Sequence, residues 1–298
     1  MPDATPQVTR VVVAGRTLRL SSLDKLLYPA TETTKGEVLS YYAQIAPILL
    51  PHLADRPVTR VRWPHGVADQ SFFEKNRPSG APSWLTSVRV HDVDYPFVTD
   101  LADLTYLVNL NALELHVPQW RVRDGEPQHP DRLVIDLDPG APAGLLECAR
   151  VALLVRERLG ALGLELFPVT SGSKGMQLYA GLGGDLASDQ VRDLVQQLAQ
   201  ELTKAHPDLV VWKMTTSLRP GKVLLDWSQN VAAKTTISPY SMRGKELPWV
   251  AAPRTWAEVE RGAQTPGALE QLMFDDVLDR VAGRVAGIPS GDLLAALS

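Results

Sequence analysis

Between Arg132 and Asp226 the sequence alternates between short aliphatic runs and longer amphipathic segments, and this order limits the folds open to the chain. The aliphatic runs read RLVIDLDP, LELFPVT, MQLYAGL and KVLLD, and the segments near Pro142 and Ser188 repeat apolar residues at helical spacing. The order βαββαβ is typical of a split βαβ core with helices on one face of a sheet. We therefore predict a mixed α/β fold of the α+β kind with a mostly antiparallel sheet.

The N-terminal third carries its own strand and helix patterns. VTRVVVAGRTLRL alternates like a hairpin around Ala14-Gly15, and VTRVRW is typical of a further strand. TKGEVLSYYAQIAPILLPHL opens with a capping-box pair, Thr34 and Glu37, and predicts a helix. DLADLTYLVNLNALELHV predicts a second amphipathic helix that ends near His116. An α/β lobe therefore precedes the core.

The chain shows no repeat, low-complexity tract or long linker, so we expect a single module over residues 1–298. Within it we predict an N-terminal lobe at 1–130, a core at 131–250 and a helical tail at 251–298. The 45% of hydrophobic residues allow a sizeable core. The single cysteine, Cys148, permits no disulfide within the chain, and the opening MPDATPQVTR lacks the apolar stretch of a signal peptide. We therefore expect a cytoplasmic protein.

The net charge of −4 by itself argues weakly against a nucleic-acid-binding protein, but the charges are unevenly distributed. Residues 204–245 carry seven Lys and Arg against two Asp and Glu, whereas residues 81–203 carry nine against seventeen. Positive charge beside an acidic middle fits a phosphate-contacting surface next to a metal site. The solvated faces of an ordinary protein would give the same distribution.

Two aspartates interrupt the strand RLVIDLDPG. Because side chains alternate along a strand, Asp136 and Asp138 share one face while Ile135 and Leu137 take the other. Their Cα atoms would lie about 6.6 Å apart, close enough for both carboxylates to bind one divalent cation. The alternative is a strand that ends in a solvated Asp-Pro-Gly turn opened by Asp138.

The later run KVLLDWSQN places a third acid, Asp226, at the end of another aliphatic strand. If this strand lies beside the first, three carboxylates meet at one sheet edge, an arrangement that suits one or two Mg²⁺ or Mn²⁺ ions. In a two-metal site the ions activate an attacking hydroxyl and stabilise a leaving pyrophosphate. The alternative is an acid that accepts a hydrogen bond from its own turn.

The turn TSGSKG, residues 170–175, lies between these acids in the sequence. Its small residues let backbone amides approach a phosphate, and Ser171, Ser173 and Lys174 add hydroxyls and a positive charge. The spacing is not that of a P-loop, which argues against a Walker-type NTPase. A plain hairpin turn is the alternative interpretation.

With DLDPG, SGSKG and DWSQN in this order, the chain resembles the archaeo-eukaryotic primase superfamily. More closely, it looks like the polymerase domain of the bacterial end-joining ATP-dependent DNA ligase D and its stand-alone primase-polymerase relatives in actinobacteria. The likeness runs through DKLLYP, FFEK, HVPQW and KTTISPYSMRG to VAAPRTW, which is nearly the whole chain. It implies an RRM-like split βαβ catalytic core in residues 131–250 and an N-terminal lobe that contacts template and downstream DNA.

The resemblance implies a role for each matching residue of the catalytic core. Asp136, Asp138 and Asp226 would be the catalytic carboxylates and would hold two Mn²⁺ or Mg²⁺ ions. The residues implied to bind the NTP or dNTP are His116, Ser171, Lys174, Gln177, Gln229 and Lys234. Gln177 departs from the family pattern, because many relatives have histidine there. A neutral amide adds no charge, so nucleotide affinity or metal preference can differ.

The resemblance also implies contacts with DNA. Lys25 and Lys35 would bind the 5′-phosphate of a downstream strand, and Arg62, Phe72 and Phe73 would contact the template. Stacking of a base on an aromatic ring contributes about 1–3 kcal/mol and tolerates any sequence. Without the resemblance, the two lysines would be ordinary surface lysines, and adjacent aromatics on a strand would leave at least one facing the core.

We therefore expect a template-dependent nucleotidyltransferase that fills short gaps and extends primers at DNA breaks, with a preference for ribonucleotides. The residues given show no ATP-dependent ligase segment, so we expect a separate ligase as partner. We also expect a monomer in the bacterial cytosol, associated with the nucleoid. Two other classes stay open: a metal-dependent phosphodiesterase or nuclease, and a non-catalytic module that binds DNA ends.

Overall fold

The computed structural model describes residues 8–298 and contains six α-helices in that range. The helices are α1 (Lys35–Leu53), α2 (Leu101–Asn109), α3 (Leu145–Gly160), α4 (Ser188–Ala205), α5 (Trp256–Gln264) and α6 (Phe274–Val281). Short 3₁₀ helices span Pro29–Thr31, Thr216–Leu218, Trp227–Asn230 and Ala295–Leu297. Within the described part of the chain, none of the helices has the length and apolar character needed to cross a membrane.

Strands alternate with these helices along the whole described range. The first ten are β1 (Val8–Val13), β2 (Arg16–Ser21), β3 (Leu26–Tyr28), β4 (Thr33–Thr34), β5 (Thr59–Arg62), β6 (Phe72–Glu74), β7 (Ser87–Val90), β8 (Val93–Pro96), β9 (Ala112–Val117) and β10 (Trp120–Arg123). The others are β11 (Glu126–Pro130), β12 (Arg132–Pro139), β13 (Phe167–Thr170), β14 (Met176–Gly181), β15 (Val210–Val211), β16 (Val223–Asp226), β17 (Thr236–Ile237), β18 (Trp249–Val250), β19 (Ala252–Pro253) and β20 (Leu272–Met273).

The larger sheet has six strands in the order β15-β16-β12-β14-β13-β19. Every pair of adjacent strands in this sheet is antiparallel except β15 and β16, which run parallel. With the crossover helices α3 and α4, it forms the predicted βαββαβ arrangement, and the mostly antiparallel α/β fold class is confirmed. Of the predicted strand LVVWKM, only Val210–Val211 pairs.

The second sheet has four strands in the order β17-β9-β5-β6. Three of them come from the N-terminal part of the chain, but β17 follows the larger sheet in sequence and pairs with β9. Conversely, β19 leaves the C-terminal part to pair with β13 of the larger sheet. The segment from Thr236 to Pro253 therefore contributes strands to both sheets. The predicted division of the chain into a lobe at 1–130, a core at 131–250 and a tail at 251–298 remains a prediction.

The faces of β12 explain why the helices pack where they do. Leu133, Ile135 and Leu137 are fully buried and pack in one cluster with apolar residues of α3 and α4. On the opposite face, Val134 joins a separate core that includes α1, α2 and β9. Asp136 and Asp138 lie on that second face farther along the strand, at the point where the core gives way to a cavity.

One prediction for the N-terminal lobe is wrong, because α2 ends at Asn109 rather than near His116. Asn111 adopts a left-handed conformation with φ 64° and reverses the chain into β9. In β9 the sequence alternates: Leu113, Leu115 and Val117 are fully buried, and His116 lies on the other face. The apolar residues of LNALELHV therefore follow a period of two, and His116 sits on a strand.

The capping box predicted at Thr34 is present. The Thr34 hydroxyl accepts from the amide of Glu37 at 3.2 Å, and the Thr34 amide donates to Glu37 Oε2 at 2.7 Å. We expect Thr34→Ala to lower the free energy of unfolding by about 1 kcal/mol, because one amide of the first turn loses its partner. Urea unfolding measures this, with Ser40→Ala on the exposed face of α1 as the matched control. An equal effect of both changes would contradict the prediction.

Candidate active site

Strand register brings two of the predicted acids together. Asp136 on β12 lies directly opposite Asp226 on β16, and on its other side it lies opposite Gln177 on β14. Asp138 follows two residues later on the same face of β12. β16 therefore lies beside β12 and brings Asp226 next to Asp136, while the roles of the three acids remain a prediction.

These strand ends line a cavity of about 380 Å³. Its polar lining consists of His116, Asp136, Asp138, Ser171, Ser173, Lys174, Gln177, Asp226, Gln229, Thr235, Thr236 and Arg243. Residues separated by more than 100 positions in sequence thus meet in one space. Of the residues predicted to bind nucleotide or metal, only Lys234 is absent from the lining. Lys234 lies beside the cavity, where its Nζ donates a hydrogen bond to the Ser228 hydroxyl.

Asp136 lies between two other acids and has a raised pKa. Burial, and after it the nearby charges of Asp226 and Asp138, raise the pKa of Asp136 to about 7, although a hydrogen bond with Gln177 and the charge of Arg243 oppose the rise. A carboxylate in this position repels its neighbours without hydration to compensate. The site therefore favours a cation among its carboxylates.

The other two acids already have protein partners. Asp138 forms ion pairs with Lys174 Nζ at 2.9 Å and with Arg219 NH1 at 3.3 Å. Asp226 accepts from the amide and hydroxyl of Ser228, at 2.9 and 2.6 Å, and from Gln229 Nε2 at 3.2 Å. Over residues 8–298 no three His, Cys, Asp or Glu side chains are grouped closely enough to hold a metal ion as they stand.

The chemistry of the donors nevertheless fits a divalent cation. The three side chains supply only oxygen ligands, which Mg²⁺ and Mn²⁺ prefer, and they line one cavity. Lys174 and Arg219 neutralise Asp138 through ion pairs. A bound cation would take over that neutralising charge. Asp136, Asp138 and Asp226 are therefore the residues that would hold a metal.

The turn between β13 and β14 is held in a narrow shape. The Ser171 amide donates to the Gly175 oxygen at 3.0 Å, and Gly172 has a left-handed φ of 66°. At Gly175 a side chain would collide with the backbone of Leu137, so only glycine fits there. From the tail, Gln271 accepts from the Gly172 amide at 2.7 Å and donates to the Gly175 oxygen at 3.0 Å. The turn thereby keeps Ser171, Ser173 and Lys174 facing the cavity.

On the opposite side of the cavity, His116 and Arg243 share one acid. His116 Nε2 lies 2.7 Å from Glu114 Oε2, and Arg243 NH1 lies 3.3 Å from the same oxygen. Burial alone would raise the pKa of Glu114, but the hydrogen bond with His116 and the charge of Arg243 outweigh it and hold that pKa below its usual range. Glu114 thus fixes the orientation of two groups that line the cavity.

Lys234 is connected to the acids through a serine. Its Nζ donates to the hydroxyl of Ser228, which in turn donates to Asp226. The connection places a positive charge at the edge of the cavity, beside Gln229. The family resemblance implies a contact with a triphosphate for this lysine.

Lys25 and Lys35 lie together, away from the acids. The Lys35 amide donates to the Lys25 oxygen at 2.8 Å across the β3–β4 pair, so the two side chains start from neighbouring backbone positions. Lys25 Nζ donates to the Pro64 oxygen, and Lys35 Nζ donates to the Ser21 oxygen at 2.8 Å. Lys35 is only 2% exposed, so it is not the ordinary surface lysine that the alternative interpretation required.

The aromatic pair on β6 faces solvent. Phe72 and Phe73 are 45% and 59% exposed, so neither faces the core. β6 is the edge strand of its sheet. Arg62, by contrast, pairs with Glu74 at 2.6 Å and donates to the Leu110 oxygen. Its charge is thus already engaged within the protein.

Among the residues at the cavity that the sequence did not reveal are Arg219, Arg243 and Gln271. Two of them lie in residues 204–245, whose excess of positive charge was the available signal. The excess of charge could not show which residues reach the cavity. Lys204 and Lys245 belong to the same segment, but they are exposed and do not line the cavity. Gln271 carried no signal, since an isolated glutamine in the tail has no motif.

The site is a nucleotidyltransferase centre of the primase-polymerase class. It combines three strand-end aspartates with a glycine-containing turn that carries serine and lysine, on a mostly antiparallel split βαβ sheet. Comparison with known proteins gives the family. The sequence model of the LigD primase-polymerase domain matches residues 34–286. The chain therefore belongs to the LigD primase-polymerase domain family.

Relatives and a solved structure agree with this assignment. The chain is 48% identical over 284 residues to the multifunctional non-homologous end joining protein LigD of Mycolicibacterium smegmatis, and 35% identical over 265 residues to the bifunctional LigD of Bacillus subtilis. These matches cover 94% and 89% of the chain but only 36% and 42% of the relatives. The polymerase domain of Mycobacterium tuberculosis ligase D, solved in complex with DNA, superimposes with a TM-score of 0.86 at 46% identity. That match covers 94% of this chain and 97% of the other.

Proposed function

We propose that the chain is a template-dependent polymerase and primase that fills short gaps and extends primers at DNA breaks, with a preference for ribonucleotides. The observation that carries this proposal is one cavity lined by Asp136, Asp138, Asp226 and the SGSKG turn. Carboxylates alone would serve hydrolysis as well, but the turn and Lys234 add the positive charge that a triphosphate needs. The relatives' end-joining names support a role in DNA repair.

The chain's own residues divide the work in the cavity. Asp136, Asp138 and Asp226 would hold one or two Mg²⁺ or Mn²⁺ ions, which when bound supply Lewis-acid activation of the primer hydroxyl and of the triphosphate. Ser171, Ser173 and Lys174 contact phosphate oxygens. Lys174 and Arg219 form ion pairs with Asp138, and nucleotide phosphates would compete with that carboxylate for Lys174.

Gln177, Gln229 and Lys234 complete the proposed nucleotide site. Gln177 hydrogen-bonds with Asp136 and accepts from the Tyr179 hydroxyl at 3.0 Å, which leaves it as a positioning residue rather than a charged contact. Gln229 and Lys234 reach Asp226 directly and through Ser228. The neutral Gln177 therefore fits a role in orienting the acid, and the phosphates rely on the lysines and Arg243.

The DNA contacts lie along the N-terminal lobe. Exposed Phe72 and Phe73 fit stacking on template bases, and Arg62 would reach the template only after it leaves Glu74. Lys25 and Lys35 form a site for the 5′-phosphate of a downstream strand next to the N-terminus of α1. The nick that remains after gap filling would then be sealed by a DNA ligase.

A gapped DNA with labelled NTPs and Mn²⁺ tests the proposed function. Extension of the primer is the expected outcome. Shortening of the primer would identify a phosphodiesterase, and an unchanged primer that nevertheless binds the protein would identify a non-catalytic module.

We expect NTPs to be incorporated in preference to dNTPs, because His116 lies on the cavity wall where a ribose 2′-hydroxyl can be sensed. A hydrogen bond to that hydroxyl is left unpaired by a deoxy analogue, which costs on the order of tenfold or more in kcat/KM. The measurement is kcat/KM for UTP and dTTP on one gapped template. Equal values would refute the preference.

Binding of a 5′-phosphate is expected to depend on pH above neutrality. Burial, and after it the charge of Lys25, lowers the pKa of Lys35 from its ordinary value to about 8. Lys35 is therefore charged below that pH and loses its charge as the pH rises through it. Affinity for gaps with a 5′-phosphate should weaken between about pH 7 and 9, whereas affinity for gaps with a 5′-hydroxyl should stay nearly constant. Parallel curves for the two substrates would contradict this.

A further inference from the structure

A buried carboxylate behind the cavity wall is bonded to one of the side chains inside the cavity. Glu114 is 6% exposed and does not line the cavity of the three aspartates. His116, two residues later on the same face of β9, does line it. His116 Nε2 lies 2.7 Å from Glu114 Oε2. The imidazole is therefore held through one ring nitrogen from behind the wall, and its other nitrogen, Nδ1, is left for the cavity.

The carboxylate of Glu114 is itself held in place. Its Oε1 accepts from the Gly244 amide at 3.0 Å, and its Oε2 lies 3.3 Å from Arg243 NH1. The backbone of Arg243 is fixed on both sides, because its amide donates to the Trp249 oxygen at 2.7 Å and its oxygen accepts from the Tyr28 hydroxyl at 2.8 Å. Glu114 cannot turn away from the imidazole without breaking these contacts.

The charge of Glu114 determines the direction of its hydrogen bond with His116. Glu114 is ionised at neutral pH, because its pKa lies below the usual range. An ionised carboxylate has no hydrogen to donate, so Nε2 carries the hydrogen of this bond. In a neutral imidazole the second nitrogen is then an acceptor. Among residues 8–298, Nδ1 has no hydrogen-bond partner and is not a buried unpartnered atom, so a ligand in the cavity can reach it.

We propose that Glu114 is a positioning residue that fixes His116 as a hydrogen-bond acceptor, so that the cavity recognises a ribonucleotide by the hydrogen that its 2′-hydroxyl donates. This inference rests on the proposed function, and it adds the direction of the hydrogen bond and the group that sets it. A deoxyribose leaves Nδ1 unpaired. A sugar whose 2′ group can only accept places a second acceptor against Nδ1, which is no better.

A 2′-fluorine separates this mechanism from recognition by sugar shape. Fluorine is similar to a hydroxyl in size and keeps a ribose-like pucker, but it carries no hydrogen. The Kd values of wild type are measured for UTP, dUTP and 2′-fluoro-dUTP with Mn²⁺ and without DNA, at pH 8, where an ordinary imidazole is neutral. We expect UTP to bind about tenfold more tightly than either analogue. Binding of 2′-fluoro-dUTP as tight as that of UTP would overturn the proposal.

Glu114→Met tests the positioning role, because methionine has a similar length but lacks both carboxylate oxygens. We expect the advantage of UTP over dUTP in Kd to fall from about tenfold to about threefold or less. His116→Ala should lose the advantage too, and adding Glu114→Met to it should cause no further loss, because Glu114 acts through His116. Glu126→Met, on the exposed strand β11, is the matched control and should keep the full advantage.

These measurements do not depend on full folding of the variants. Misfolded protein lowers the number of binding sites but not the Kd of the folded molecules, and the comparison with 2′-fluoro-dUTP needs no variant. A full UTP advantage in Glu114→Met, or a further loss in the double variant, would overturn the proposal. If the nucleotides bind with the expected ratios but no primer is extended, the proposed function fails while the role of Glu114 stands. Primer extension by a wild type that binds UTP and dUTP equally would overturn only the role of Glu114.

Discussion

Asp136→Ala and Asp226→Ala are expected to abolish nucleotide incorporation while leaving DNA binding nearly unchanged. The two acids face each other across β12 and β16, so either change removes a central oxygen donor. We expect a loss of roughly a thousandfold in kcat, which corresponds to about 4 kcal/mol. DNA binding should persist, because a carboxylate repels the phosphate backbone and its loss cannot weaken that attraction.

Two controls accompany this prediction: the folding of each variant and the activity of a variant outside the cavity. Removing the Asp136 carboxylate relieves repulsion, so Asp136→Ala should fold at least as well as wild type. Asp226→Ala also loses the hydrogen bonds from Ser228 and Gln229, so thermal unfolding must show that this variant is folded before its activity is compared. Asp208→Ala, an exposed acid outside the cavity, should retain full activity. Primer extension with Mg²⁺ and with Mn²⁺ measures the effect, and near-normal extension by either cavity variant would remove the assignment of the metal ligands.

The double change Lys25→Ala with Lys35→Ala is expected to weaken binding to gaps with a downstream 5′-phosphate far more than to gaps with a 5′-hydroxyl. A terminal phosphate differs from an internal one by extra charge and exposed oxygens. The two lysines, held together by the β3–β4 pair beside the first turn of α1, can recognise that difference. Each lost charge-assisted contact should cost about 1.5–3 kcal/mol.

The burial of Lys35 shapes the design of this experiment. Its side chain packs inside the lobe and bonds to Ser21, so alanine can loosen the β3–β4 region as well as remove charge. Lys25→Met with Lys35→Met keeps the aliphatic stems and should show the same selectivity loss. Arg158→Ala with Lys204→Ala, on exposed faces of α3 and α4, matches the change in net charge. If all double variants weaken both substrates equally, the lysines are general backbone contacts.

The sequence was sufficient for the catalytic half of the fold and less so for the N-terminal half. Alternation and capping signals are local, which is why β12, β14, β16 and the start of α1 were predicted correctly. The error at His116 arose because a left-handed Asn111 interrupts a run whose apolar residues fit helix and strand equally well. Burial of Lys35 and exposure of both phenylalanines depend on packing partners distant in sequence.

The same contrast between local signals and distant contacts applies to the site residues. Aspartates within apolar strands are conspicuous because they break a local rule, and strand register then brought them together. Arg219, Arg243 and Gln271 reach the cavity region from loops and the tail, where no periodicity exists to mark them. Their positions follow from tertiary contacts such as the bonds of Gln271 to both ends of the glycine turn.

The exchange of strands between the two sheets has a consequence for biosynthesis. β9 pairs with β17 only after Thr236 and Ile237 have been synthesised. The N-terminal lobe therefore leaves the ribosome with an unpaired edge at β9. Until then that edge can pair with another nascent chain, and a chaperone that shields it would raise the yield of native protein. A fragment truncated before Thr236 keeps the edge permanently open and is therefore prone to aggregate, even though it contains every strand of the lobe that precedes the catalytic sheet.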